Sequence, residues 1–103
     1  MEMTTENENK RDMIIRGVEE YYGVTMKDMC VPNTQKYPDA AARDLLSYLL
    51  REVGGLKYTQ IADMFGTSIR NIFFRINKAR TDLGYRGKFY NDYQEIINTL
   101  KNE

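Results

Sequence analysis

Residues 58–80 read YTQIADMFGTSIRNIFFRINKAR, and what this stretch folds into decides the class of the whole chain. Ile61, Ala62, Met64 and Phe65 supply the apolar side of a short helix. Gly66 supplies a turn, and Thr67 or Ser68 a hydroxyl able to cap the next helix by accepting from its free backbone N–H groups. A second helix over roughly residues 69–82 follows. At about 100° per residue, Ile69, Ile72, Phe73, Ile76, Ala79 and Leu83 fall on one broad face, and Arg70, Asn71, Phe74, Arg75 and Lys78 on the other. Two amphipathic helices about a glycine turn predict a helix-turn-helix.

Outward from this hairpin the pattern stays helical. PDAAARDLLSYLLREV (residues 38–53) opens with a proline and an acid, both favoured in a first helical turn, and Gly54-Gly55 closes it. Its Leu45, Leu46, Leu49, Leu50 and Val53 form a stripe wide enough for a central core helix. Near the N-terminus, RDMIIRGVEEYYG places Met13, Ile14, Val18, Tyr21 and Tyr22 near helical spacing before Gly23. A short helix follows, capped by Thr25, turning Met26, Met29 and Cys30 inward and ending at Pro32. GYRG breaks the helix after Leu83, and KFYNDYQEIINTLKN makes a last amphipathic helix with Phe89, Tyr93, Ile96, Ile97 and Leu100 on one side. Residues 1–9 have no large apolar residue besides methionine and read as a disordered acidic tail. The expectation is an all-α bundle of about six helices, with residues 10–103 forming one domain.

Composition removes several function classes. There is no histidine and Cys30 is the sole cysteine, so an intrachain disulfide, a histidine base and a His/Cys zinc site are all excluded. No carboxylate pair stands apart from solvated helix faces, and a cysteine on an apolar face without a histidine to activate it is an inert thiol. The chain is therefore expected to be no enzyme and to take no cofactor, metal or small-molecule substrate. No apolar run approaches the roughly 18 residues of a membrane span, and MEMTTENENK is acidic where a secretory leader is basic and then apolar. A cytoplasmic protein without a membrane partner is the expectation.

Fifteen basic and fifteen acidic residues sum to zero, yet the charge is unevenly placed. From Thr67 to Tyr90 the chain carries Arg70, Arg75, Lys78, Arg80, Arg86 and Lys88 against Asp82 alone. Positive charge thus collects where the second hairpin helix lies, as a surface for phosphates would require.

IIRGVEEYYGVTMKDM, PDAAARDLLSYLLREVGGLKYTQIADMFG and TSIRNIFFRINKAR together resemble the C-terminal DNA-binding domain of the bacterial replication initiator DnaA. That resemblance spans Lys10 to Lys101 and implies a Trp-repressor-like helix-turn-helix with its second helix in the major groove. It also implies a minor-groove contact from the loop before the long helix. Two departures qualify what is carried over. GTSIRNI stands where the family has Gly-Arg-Asp-His-Thr-Thr-Val, and the loop VPNTQKYPD keeps only Lys36 as a basic residue. No phosphate-binding loop accompanies the hairpin. The implied protein is a stand-alone binder of double-stranded DNA whose target differs from the family's, in replication, transcription or a mobile element.

Arg70 and Asn71 are the candidate base readers, flanked by Arg75 and Lys78, since Arg can donate two hydrogen bonds to guanine and Asn can pair with adenine. Ser68, Tyr58 and Thr59 are candidates for phosphate or sugar, Lys36, Arg80, Arg86 and Lys88 add charge, and Phe74 is the apolar member of the outward face. The alternative from another class is a protein-interaction domain, or self-association, using the same face around Phe74.

Overall fold

A computed structural model describes residues 2–31 and 34–101, with side chains from Lys10 onward. Among the described residues six helices follow one another: α1 (Glu2–Tyr22), α2 (Met26–Met29), α3 (Asp39–Glu52), α4 (Tyr58–Phe65), α5 (Ile69–Gly84) and α6 (Lys88–Lys101). No strand occurs among the described residues. The all-α, six-helix reading of the sequence is what the chain adopts.

The punctuation follows local chemistry. Gly23 takes the left-handed conformation (φ 69°) and its N–H donates to the Glu19 carbonyl at 2.8 Å, ending α1 where a Cβ would be strained. Thr25 then caps α2 reciprocally, its hydroxyl accepting from the Asp28 N–H at 3.2 Å while the Asp28 carboxylate accepts from the Thr25 N–H at 3.0 Å. Pro32, expected to end this helix, lies outside the described residues. The backbone of residues 2–9, read from composition as a tail, continues α1. Threonine and asparagine are weak helix formers but do not bar a helix that downstream residues have nucleated.

α3 is the centre. Leu45, Leu46, Leu49 and Leu50 are fully buried, with Ile14 and Val18 of α1, Met29 of α2, Ile61 and Phe65 of α4, Ile72 and Ile76 of α5 and Ile96 of α6 in the same core. Because other helices surround it, α3 also buries Arg43, Asp44 and Ser47, which apolar periodicity alone does not predict. Ser47 donates to the Arg43 carbonyl at 2.9 Å, so its hydroxyl stays satisfied within the helix.

α6 is fastened to α1 by a polar clamp. Asp92, 2% exposed, accepts from Tyr21 Oη at 2.6 Å and Tyr22 Oη at 2.8 Å, and Lys88 Nζ lies 3.3 Å from the same carboxylate. For Tyr22, burial first and the bond to Asp92 second push the phenol pKa far up; for Tyr21 the bond to Asp92 leads. Raised phenols stabilise the fold below their unfolded pKa, so stability should fall as pH climbs beyond about 10. Asp92→Ala should cost about 3 kcal/mol in urea unfolding, because it removes the buried acceptor of both bonds and leaves the partly buried Tyr22 hydroxyl without a partner, and Tyr22→Phe about 1 kcal/mol.

Candidate nucleic-acid interface

α4 and α5 meet at a turn built from three adjacent residues. Gly66 adopts φ 65°, Thr67 N–H donates back to the Ala62 carbonyl at 3.0 Å, and Ser68 begins α5. Of the two capping hydroxyls, Ser68 Oγ is the one that accepts from the Asn71 N–H, at 3.1 Å. Thr67 Oγ1 instead accepts from Asn71 Nδ2 at 2.8 Å. Asn71, a candidate adenine reader, is thus partly committed to the turn, with its side-chain oxygen and one amide hydrogen left for a ligand. Ser68 keeps its hydroxyl hydrogen, and the backbone N–H groups of Ile69 and Arg70 lie within the unpaired first turn of α5.

The buried side of α5 is Ile72, Ile76 and Ala79. Ile69 and Phe73, expected inward, are 49% and 53% exposed. The physical reason is the direction from which the core approaches: α3 and Phe65 meet α5 along the 72–76–79 line, which leaves Ile69 ahead of the contact and Phe73 rotated toward the start of α4. There Phe73 leans on Tyr58, ring centroids 5.8 Å apart, while Arg51 covers the other neighbourhood of Tyr58 at 4.7 Å from its centroid. Tyr58, the candidate phosphate or sugar contact, is half-buried in this stack. Thr59 beside it is exposed.

Opposite the buried line runs the outermost ridge of α5: Arg70, Phe74, Asn77 and Thr81, all exposed. Asn77 and Thr81 were not singled out by sequence reasoning. Centring the helical wheel on Ile72 and Ile76, and not on the most apolar positions, would have found them. Arg70 makes no hydrogen bond or ion pair among the described residues. Phe74 is 64% exposed, the most open phenylalanine of the helix.

Beside this ridge lies a groove of about 350 Å³ between α3 and α5, lined by Gln35, Arg43, Asp44, Asn71, Phe74, Arg75 and Lys78. Asp44 accepts from Arg43 Nε at 3.1 Å and stands 3.6 Å from Lys78 Nζ. Arg43 Nη1 also donates to the Thr34 carbonyl at 2.9 Å, tying the preceding loop to the helix. Arg75 departs from expectation. It is only half exposed, its guanidinium sits 5.5 Å from the centre of the Phe65 ring, and Nη1 is buried without a hydrogen-bond partner. Burial and then neighbouring Arg43 hold its pKa below the ordinary arginine value. Arg75, a candidate flanking residue, therefore forms a partly enclosed wall of the groove.

Several other cations turn out to be engaged within the protein. Arg80 Nη2 bonds Glu52 at 2.5 Å, Lys88 binds Asp92, and Arg86 lies over Tyr90 at 5.7 Å. Lys36 is exposed in the loop before α3, away from any such pairing among the described residues. The structure brings together Ser68, Arg70, Asn71, Phe74, Arg75 and Lys78 on α5, and leaves Tyr58 on the opposite flank.

Residues 46–83 match the family model of sigma-70, region 4. This is a helix-turn-helix DNA-binding domain, and the matched segment takes in the end of α3, all of α4 and nearly all of α5. The α4–α5 hairpin is a helix-turn-helix by geometry and by this similarity. The match gives no support to the finer resemblance to the DnaA domain. No helix is long and apolar enough to cross a membrane among the described residues.

Asp44→Ala should destabilise the protein by about 3 kcal/mol, since it leaves the Arg43 guanidinium buried without its carboxylate. Arg70→Ala should stay within about 0.5 kcal/mol of the parent, as an exposed side chain outside any network. Paired urea unfolding curves check both.

Proposed function

We propose that this chain binds double-stranded DNA by laying α5 in the major groove, in a transcription-related role. One observation carries the reading: the segment similar to sigma-70, region 4 presents an exposed ridge of Arg70, Phe74, Asn77 and Thr81, with the unpaired Arg70 at its N-terminal end. A recognition helix contacts base edges with its N-terminal residues, which is where this ridge starts. Arg70 suits guanine O6 and N7, and the oxygen of Asn71 and the amide of Asn77 suit base edges beside it. Ser68, the first free N–H groups of α5, Thr59 and Lys36 are placed for phosphates, with Lys78 and Arg75 adding charge from the groove.

The resemblance to the DnaA domain and its Trp-repressor-like hairpin rests in part on residues outside 46–83. It lends the proposal a DNA-binding frame without a target, because the family's base-reading positions are occupied here by Thr67, Ser68, Ile69, Arg70 and Asn71. The reading implies a cytoplasmic binding protein without a catalytic step.

Exposure of Ile69, Phe73 and Phe74 along one helix favours a second reading, a protein-docking face. The two separate by mutation. Arg70→Ala should weaken binding to a duplex enriched from a random pool by about tenfold or more, the worth of one good arginine–base contact, with the melting temperature unchanged. Retention of no duplex even near about 50 mM salt, where phosphate contacts are strongest, would sink the DNA reading. Loss of a protein partner on Phe74→Ala alone, with Arg70→Glu harmless, would establish the docking face.

A further inference from the structure

We infer that Phe74 reads thymine methyl groups, so that the duplex preferred by α5 carries thymine where this ring meets the major groove; the inference rests on the DNA-binding reading above. Phe73 and Phe74 are adjacent and both exposed, but they are not equivalent. Phe73 is stacked on Tyr58, whereas Phe74 has no aromatic partner among the described residues and stands 64% open. No packing contact among the described residues encloses this ring, and a ligand that covered it would remove its apolar surface from water.

Its surroundings select the ligand. Phe74 lies one turn after Arg70 and one turn before Asn77 and Lys78, so the ring is bracketed along the helix by cations and a hydrogen-bonding amide. Asp44, the carboxylate nearest this side, is 3% exposed and already faced by Arg43 and Lys78. An apolar spot within a cationic frame complements a surface that is polyanionic at its edges and apolar at isolated points on its floor. The major groove offers one such point per A·T pair, the C5-methyl of thymine.

Uracil tests this directly, because it keeps the O4 acceptor and the pairing of thymine and lacks only the methyl. A duplex is enriched from a random pool with the 103-residue chain, and each thymine is then replaced by uracil in turn. Removal of one methyl at one or two positions should weaken binding about fourfold each, the worth of one buried methyl-sized group. Phe74→Ala, which should fold normally at so exposed a position, should bind the thymine and uracil duplexes equally. Undiminished binding of every uracil duplex by the parent overturns the inference and leaves DNA binding intact. Equal sensitivity to uracil in parent and Phe74→Ala assigns the methyl to another residue and also overturns it. Failure to enrich any duplex removes the DNA-binding reading, and the inference with it.

Discussion

Everything else in this protein is arranged around the burial of α3. Four of its leucines are at zero exposure, and a helix sealed on most of its circumference cannot keep its polar residues in water. Arg43, Asp44 and Ser47 are carried inward with the leucines and must find partners there. Ser47 turns to its own helix, Arg43 to the Thr34 carbonyl and Asp44, and Asp44 onward to Lys78 of α5. The preceding loop and the second hairpin helix are thereby held to the same carboxylate. Hydrophobic burial fixes where α3 lies, and the polar residues it drags along fix what lies beside it.

Local chemistry was readable ahead of the structure because it is short-range. Gly23, Thr25, Gly66 and the Ser68 cap act within four residues of themselves, and the leucine spacing of α3 is its own evidence. Asp92 could not be read in that way. It looks like any solvated acid of an amphipathic helix, and only the return of α6 to α1 brings it to Tyr21 and Tyr22, some seventy residues away in sequence. α5 marks a different limit. Periodicity weighs apolar residues alike, so Ile69 and Phe73 pulled the expected core face away from the line where α3 actually packs, and Asn77 and Thr81 were passed over.

The basic stretch from Thr67 to Tyr90 also changes meaning once partners are known. Arg80, Lys88 and Lys78 face carboxylates, Arg86 covers a tyrosine, and Arg75 is half enclosed. Counting formal charge overstated the field available to a ligand, because most of these cations are already engaged by other groups of the protein. Among the described residues, Arg70 remains outside such pairs. A duplex held by this surface would depend on few contacts, and the dependence of its affinity on salt should be correspondingly shallow, since the slope counts the phosphates neutralised.

Arg75 shows how frame and surface share one residue. Its guanidinium lies against Phe65, the last residue of α4, and so helps fix how α5 leaves the turn, while its exposed part lines the groove beside Phe74. The buried Nη1 has no partner among the described residues, a state that normally costs about 1–3 kcal/mol for a polar group. Shortening this side chain would remove that penalty but also a wall of the groove and the contact with Phe65. The buried line of Ile72, Ile76 and Ala79 sets which side of α5 faces outward, and Arg75, at the edge of that line, is enclosed as a consequence.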